Sequence, residues 1–505
     1  MATSKHTTAT SRSAWMREGR TCMAERDWAG AIRAYGQGML ERPKLGVHYA
    51  ANLERSRRNF RLERSRFNQK GPAHTQVVVA AGELSHNAAG RAFTLAQLYQ
   101  HLGHPVTLLG SHFPQWGHEL WKPIQTAVLK AQLPVQSFVA VQEARYLEQA
   151  FLMVLQHPAD LVHLSKPRMP AIVIGLLYKL LWEAAVMVDI DDEELCFVGE
   201  RESVTLDGLK RLCHGLPEPR ELMGPLWTRL AVDLAQKFDG VTVANGALKE
   251  RYGGVVIPHS RDPKQLRPAT AEETRAARER FGVPHKARVI LFFGTPKPHK
   301  GLIPLANAVK QLPQGLRPLL VVAGGFAPED VDLQKELEAL LPEERLMLLG
   351  SQPFEEAAQV LALADLVVLL SEGEVSSFQS PAKLSDALAM GLPVLVSQAP
   401  PLMQMVEQRW VWAADVECLA KQIGELLSDS SALQAQGERA RRGFQQNLAI
   451  PTVASQLHGV ACEALVNSKS TDRGTIDALE SLNLQIYSSL MVIHHQDVKQ
   501  GGCQF

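Results

Sequence analysis

The residues with the most distinctive chemical spacing lie in the second half of the chain. The stretch from Ser371 to Val394 is predicted to form a strand, a polar loop, a helix, a glycine turn and a second strand. The helix is predicted to open with Ser377, Phe378, Gln379 and Ser380. Unpaired N–H groups and the dipole at a helix N-terminus attract phosphate. Asp386, further along the helix, could accept hydrogen bonds from a ribose diol.

A second candidate segment runs from Phe292 to Leu302. Gly294 ends its apolar run, and Lys300-Gly301 opens the next helical pattern. This arrangement resembles the diphosphate clamp of the family described in the next paragraph, in which a lysine neutralises the charge that builds on a departing nucleoside diphosphate. Lys297 is a second candidate, with a solvent-exposed surface lysine as the equally weighted alternative.

The segment from Asp386 to Val394 resembles the donor-binding motif of the retaining glycosyltransferases of group 1, in which an acidic residue precedes Ala-Met-Ala-x-Gly-x-Pro-Val. Lys300 matches the family lysine, whereas the family arginine is Thr295 here and Lys297 is proposed to compensate. The family places a second carboxylate eight positions before the first, and this chain has Phe378 there. That departure leaves the stereochemical course and the identity of the sugar open.

Some family members carry a Ser/Gln-x-Pro-x-Lys-Leu variant, which looks like Gln379 to Leu384 and adds Lys383 to the donor-binding candidates. The resemblance covers roughly residues 76–440. It implies the GT-B fold, which is an α/β fold of two Rossmann-like, doubly wound lobes with a cleft between them. It also implies transfer of a hexosyl unit from a nucleotide sugar to a hydroxyl group, with no metal and no cofactor.

The candidate residues of the first half follow two predicted strands. The loop from Glu83 to Arg91 occupies the place of the family's loop facing the donor, and it offers His86 as a catalytic residue, Gly90 and Arg91 for the donor and Asn87 for the acceptor. A loop-stabilising role is the alternative for each. The loop has no G-x-G-x-x-G pattern, which argues against a nicotinamide cofactor, and the chain has no P-loop motif.

An acidic run follows another predicted strand and continues to Glu194. Asp189 and Asp191 are predicted to contact acceptor hydroxyls, and Lys166, after a neighbouring strand, is predicted to bind an anionic acceptor or a phosphate. A divalent-metal site with oxygen ligands is one alternative. Capping of a helix by Asp192 or a neighbour is another.

Alternating strands and helices position these residues and predict two parallel sheets. Strands are predicted at residues 77–81, 105–109, 160–164, 186–190, 240–244, 289–293, 318–323, 346–349, 366–370 and 393–396. The predicted domains are a helical module (1–70), an acceptor lobe (72–262), a donor-nucleotide lobe (263–465) and a tail (466–505), in which residues 476–493 look helical.

The first 70 residues resemble one and a half tetratricopeptide repeats, with Trp15, Gly19, Tyr35 and Pro43 among the matching positions. A single repeat cannot bury its apolar face alone. It must therefore pack on the following domain, on another copy or on a protein partner, and a plain helical hairpin is the alternative to a repeat.

Charge and composition limit the function classes. The chain has 53 basic and 53 acidic residues, which argues against a nucleic-acid partner, but residues 1–70 hold 15 basic and 6 acidic ones. This excess favours either a docking module or a solvated helical face. Six scattered cysteines, a polar N-terminus and the absence of a long uninterrupted apolar stretch predict a soluble cytoplasmic protein, with peripheral membrane contact left open.

Two hypotheses of different classes follow. The first is a glycosyltransferase acting on a glycan, lipid or small-molecule acceptor. The second is an inactive protein that binds a nucleotide sugar or glycan and recruits partners through its helical module, because Phe378 stands where a carboxylate is expected. A sugar-nucleotide epimerase of the same fold is a third, less favoured reading.

Overall fold

The structure of the protein, a computed structural model, describes residues 7–41, 46–141, 145–213 and 222–470. A helical module precedes two parallel β-sheets, each flanked by helices. The helix predicted at residues 476–493 lies outside the described residues.

Three helices form the N-terminal module: α1 (Thr7–Glu25), α2 (Trp28–Glu41) and α3 (Gly46–Asn68). Gly19 permits the close approach of α1 and α2, because a Cβ atom there would lie 2.4 Å from the ring of Tyr35. Ile32 and Tyr35 belong to the same buried cluster as Leu155 and Trp182 of the following lobe. The module therefore packs on the following domain, the first of the three alternatives raised by its sequence.

Arginines of α3 fix the module to the first lobe. Arg64 donates two hydrogen bonds to Asp160, at 2.9 and 2.6 Å, and Arg61 pairs with Glu183 at 3.1 Å. Both acidic partners lie more than 90 positions away in the sequence. Part of the basic excess of residues 1–70 therefore forms ion pairs within the chain. Neither of the two sequence-based interpretations, a docking module or a solvated helical face, predicted this.

The first lobe is built on a seven-stranded parallel sheet. Its strands are β1 (Val77–Ala81), β2 (Val106–His112), β3 (Val135–Val139), β4 (Leu161–Ser165), β5 (Ala185–Ile190), β6 (Gly240–Val243) and β7 (Val255–Val256), in the spatial order β3-β2-β1-β4-β5-β6-β7. Every residue of β1 is buried, because helices cover both faces of the sheet. The edge strands β3 and β7 were missed from the sequence; neither has a fully buried residue, so neither gives a long apolar run.

The helices of this lobe are α4 (Ala88–His101), α5 (Gln125–Lys130), α6 (Tyr146–Gln156), α7 (Met169–Trp182), α8 (Glu194–Phe197), α9 (Leu206–Cys213), α10 (Pro225–Ala235) and α11 (Gly246–Tyr252). The most apolar helix of this lobe is α7, which leads into the fully buried strand β5. Among the described residues, no helix is long and apolar enough to cross a membrane.

The second lobe is built on a six-stranded parallel sheet. Its strands are β8 (Val289–Phe293), β9 (Leu319–Ala323), β10 (Leu346–Gly350), β11 (Leu366–Leu369), β12 (Val394–Val396) and β13 (Trp412–Ala413), in the order β10-β9-β8-β11-β12-β13. Its helices are α12 (Ala271–Phe281), α13 (Leu302–Gln311), α14 (Val331–Leu340), α15 (Ala357–Leu361), α16 (Ala382–Ala389), α17 (Pro400–Glu407), α18 (Leu419–Ser428) and α19 (Ser430–Asn447). In both sheets the strand order reverses beside the first strand, where open α/β sheets bind ligands.

The chain returns to the first lobe at its described end. Helix α20 (Ile450–Ser470) follows α19, and its residues Val453, Leu457 and Ala461 share a buried cluster with Val77 and Met187 of the first sheet. The predicted second lobe, 263–465, therefore extends too far, because residues from 450 onward pack on the first lobe. The sequence pattern shows that α20 is a helix but not which sheet it covers.

Candidate functional site

A cavity of about 260 Å³ lies between the two lobes, at the carboxyl ends of their strands. It is lined by loops that follow β1, β4 and β5 of the first sheet and β8, β10 and β11 of the second. The predicted site residues that line it are Asn87, Gly90, Arg91, Lys166, Asp191, Gly294, Lys300, Gln379, Ser380 and Lys383. The predicted site residues that do not line it are His86, Asp189, Lys297, Ser377, Phe378 and Asp386.

Lys300 brings a positive charge to this cavity. It ends a short 3₁₀ turn, Pro298–Lys300, directly before α13. Burial lowers the pKa of its ammonium, with the neighbouring lysines adding to the effect and Asp192 opposing it. Within the part of the chain that the structure describes, Lys300 takes part in no ion pair. A partly buried cation without a counter-ion attracts an anion such as a phosphate.

Lys297, the second predicted phosphate ligand, is directed elsewhere. Its ammonium pairs with Glu329 at 2.9 Å and with Asp330 at 2.7 Å, and these contacts raise its pKa. Lys297 therefore does not compensate for the family arginine, whose position is Thr295 in this chain. Gly294 lies beside the cavity with φ at +147°, a conformation that favours glycine and lets the chain turn after β8.

The loop before α16 differs from its predicted form. Residues Glu374–Ser377 form a 3₁₀ turn, and α16 begins at Ala382, so Ser377 lies outside the helix start and away from the cavity. Pro381 caps the helix without a side-chain hydrogen bond. The first amides of α16 therefore have no side-chain cap where Ser380 and Pro381 meet the cavity.

Asp386 is held inside the second lobe rather than at the cavity surface. Its side chain is fully buried; it accepts a short hydrogen bond from Arg261 and lies 3.5 Å from the ammonium of Lys383. A ribose therefore has no open carboxylate at this position, contrary to the sequence-based expectation. Lys383 also lies over the ring of Phe293, 4.4 Å from its centroid, and burial lowers its pKa.

Phe378 stands at the position where the family pattern has a carboxylate, and its ring lies outside the cavity. It packs on the apolar cluster of Ile190 and Leu248 in the first lobe. The guanidinium of Arg251 stacks over the ring at 5.3 Å. The backbone oxygen of Phe378 accepts a hydrogen bond of 2.8 Å from the side chain of Asn245. The ring of Phe378 is thus an anchor between the lobes and does not line the cavity.

Arg91 and Asp189 form a buried pair below the cavity. Arg91 Nε and Nη2 donate to the two carboxylate oxygens at 2.8 and 2.7 Å, and Thr242 donates to Asp189 at 2.7 Å. Asp189 is completely buried and saturated, so its predicted contact with an acceptor is wrong. Arg91 lines the cavity, and its buried Nη1 has no hydrogen-bond partner among the described residues.

Lys166 stands among the carboxylates that were considered as a metal site. Asp191, Asp192 and Glu194 have oxygen atoms within 4.8 Å of one another. The Lys166 ammonium lies 2.7, 2.6 and 3.4 Å from the three groups. A lysine thus supplies the cation that these oxygens require, and the residues fit a metal ion poorly. Burial raises the pKa of Asp191, despite Lys166, to about 6.

Asp192 joins the two lobes at the cavity. Its Oδ1 accepts a hydrogen bond of 3.1 Å from Gln379 Nε2 across the cleft. The sequence predicted that Asp192 or a neighbour caps a helix, and the neighbour Glu193 caps α8. The acidic run indicated a cluster, but no local signal showed which carboxylate reaches the other lobe. Arg261, which also lines the cavity, was missed for the same reason.

The loop after β1 contributes less than predicted. Asn87 and Gly90 line the cavity, but His86 does not. The His86 ring lies 6.2 Å from that of Trp116, and burial lowers its pKa, so it is neutral near pH 7. Its predicted catalytic role rests on the sequence alone.

The fold is that of the GT-B glycosyltransferases. A crystal structure of Anabaena HepE in complex with UDP and glucose superposes with a TM-score of 0.58 at 18% identity, over 76% of this chain and 99% of that one. A glycosyltransferase from Rickettsia africae gives a TM-score of 0.58 at 14% identity, over 78% of this chain and 99% of that one.

The match to a protein family lies in the second lobe. Residues 273–443 match the family model described as "Glycosyl transferases group 1". N-acetyl-alpha-D-glucosaminyl L-malate synthase of Bacillus anthracis is 29% identical over 156 residues, 30% of this chain and 39% of that protein. D-inositol 3-phosphate glycosyltransferase of Corynebacterium urealyticum is 29% identical over 198 residues, 37% of this chain and 45% of that protein. The chain thus matches less than half the length of these relatives. The family match extends over residues 273–443, so the likeness to the group 1 glycosyltransferases is that of the second lobe.

Proposed function

We propose that the protein transfers a hexosyl unit from a nucleotide sugar to a hydroxyl group of an acceptor. The observation that carries this proposal is Lys300, a partly buried cation without an ion-pair partner among the described residues, in a cavity between two Rossmann-like lobes. It lies within the segment that matches the group 1 glycosyltransferases. A nucleoside diphosphate is the anion that such a site suits, both as part of the donor and as the leaving group.

Each side of the cavity has a proposed task. Lys300 neutralises the diphosphate, and the amides at the start of α16 beside Ser380 add hydrogen-bond donors. Closure of the two lobes excludes water that would otherwise hydrolyse the donor. The reaction needs no metal ion or other cofactor in this proposal, because Lys300 supplies positive charge and Lys166 occupies the acidic cluster.

The acceptor is proposed to enter from the first lobe. Asn87, Lys166 and Asp191 line that side and offer hydrogen bonds to hydroxyl groups. The relatives are named for an acceptor malate and for inositol 3-phosphate. Small hydroxylated acids and phosphates therefore belong in an acceptor panel beside glycans and lipids.

The helical module is proposed to present a surface to a protein partner as well as to brace the first lobe. Its attachment uses one side of α3, while Arg55, Arg58 and Arg66 remain exposed. A tetratricopeptide-like arrangement stays a prediction.

The alternative, an inactive binding protein, is favoured by one observation. Phe378 replaces the expected carboxylate and anchors the loop to the first lobe. Such a protein would bind a nucleotide sugar without releasing its diphosphate.

The test is incubation with a panel of sugar nucleotides, each alone and with acceptors, while released nucleoside diphosphate and transferred label are measured. Label in an acceptor for one donor supports the transferase. Nucleotide binding without release over the panel supports the inactive protein. Lack of binding to every nucleotide contradicts both.

A further inference from the structure

The carboxylates at the cavity come from an unexpected side. Among the described residues that line it, the acidic ones are Asp191 and Asp192, both in the loop that follows β5 of the first lobe. On the second lobe, Phe378 has replaced the family carboxylate, and Asp386 is buried with Arg261. Within the described part of the chain, the carboxylates that a glycosyl group in this cavity can meet therefore come from the first lobe.

Asp192 is the better placed of the two. Its side chain is 18% exposed, against 7% for Asp191. Asp192 accepts a hydrogen bond from Gln379, the residue that follows Phe378 in the chain. Phe378 stands at the position where the family has its carboxylate. A carboxylate from the opposite lobe thus reaches the neighbourhood that the missing group would have occupied.

The charge of Asp192 suits it to accept hydrogen bonds. Burial alone would raise its pKa, but Lys166 and the hydrogen bond from Gln379 outweigh burial and lower the pKa to about 2. The group is therefore ionised at neutral pH and acts only as an acceptor. The charge of Asp192 also acts on Lys300, where it opposes the lowering of the pKa by burial. A cation suited to phosphate and a hydrogen-bond acceptor suited to hydroxyl groups therefore line the same cavity.

We propose that Asp192 binds hydroxyl groups of the transferred sugar, so that the first lobe supplies the sugar-recognising carboxylate that the second lobe lacks. This inference rests on the proposed function, since it presumes a nucleotide sugar in the cavity. It assigns nucleotide affinity to Lys300 and sugar affinity to Asp192, which can be separated experimentally.

The experiment measures affinity for the nucleotide and the sugar nucleotide by calorimetry, with UDP, UDP-glucose, GDP and GDP-mannose as probes. In Asp192→Asn, Lys166 keeps two of its carboxylates, so the loop should retain its structure. We expect about a 10-fold loss of affinity for the sugar nucleotide that binds and less than a twofold change for its nucleoside diphosphate. Asp332→Asn, at a side chain that is 97% exposed, is the matched control.

Deoxy analogues of the sugar nucleotide separate direct contact from an indirect effect. Removal of the hydroxyl that Asp192 binds should weaken binding to the wild-type protein about 10-fold and leave binding to Asp192→Asn unchanged. Equal losses for the nucleotide and the sugar nucleotide, or additive losses with every deoxy analogue, would overturn the assignment of Asp192 alone. Failure of the wild-type protein to bind any of the four probes would overturn the proposed function together with it.

Discussion

Replacing Lys300 by methionine should weaken binding of a nucleoside diphosphate without harming the fold. The side chain keeps its length but loses its charge. A hydrogen bond to a charged group contributes about 1.5–3 kcal/mol, which corresponds to about a 10- to 100-fold increase in Kd. Calorimetric titration with UDP or GDP measures the change directly, at low salt so that screening does not hide it.

The same substitution should stabilise the unliganded protein. Burial lowers the pKa of Lys300 below its ordinary value of 10.5, so the charged form is less favourable in the folded chain than in the unfolded chain. This destabilisation is fully present below the folded pKa and disappears as the pH rises past 10.5. At pH 7 the thermal midpoint of Lys300→Met should therefore equal or exceed that of the wild type, and the difference should shrink in alkaline buffer.

Two other lysines complete this test. Lys335→Met, at a side chain that is 69% exposed, is the matched control and should change neither quantity. Lys297→Met removes the partner of Glu329 and Asp330, so it should lower stability and spare diphosphate affinity. A Lys300→Met protein that binds the diphosphate within twofold of wild type, or a larger loss in Lys297→Met, would refute the assignment.

Three further substitutions test the packing around the site. Asp386→Asn should cost about 3–5 kcal/mol in urea unfolding because it leaves Arg261 buried without its counter-charge; a loss below 1 kcal/mol would argue for an exposed, ligand-binding carboxylate. Arg64→Met should cost about 1.5–3 kcal/mol in urea unfolding by removing two charged hydrogen bonds to Asp160; an unchanged free energy of unfolding would show that these bonds do not hold the module to the first lobe. Phe378→Glu should cost about 1–2 kcal/mol of apolar burial and should not increase diphosphate release, because the side chain faces away from the cavity; faster release would show that the position still serves the reaction.

Much of the fold was readable from local patterns. Short apolar runs such as those of β1 and β8 predicted buried parallel strands, because a strand covered on both faces has apolar side chains at successive positions. The pattern failed at β3, at the sheet edge, where partial exposure removes the apolar run. The pattern also failed to assign α20 to the correct lobe, because periodicity identifies the buried face of a helix but not the sheet that covers this face.

The candidate site divides in the same way. By itself the sequence determined two α/β lobes, a helical module before them and a lysine, Lys300, directly before the helix that follows β8, because burial and turn chemistry are local properties. Tertiary structure alone decided which charges remain available for a ligand. Asp386 is neutralised by Arg261, 125 positions away, and Asp192 meets Gln379 over a separation of 187 positions. Such pairings arise only where loops from distant strands converge at the edges of two sheets, and no local pattern records that convergence.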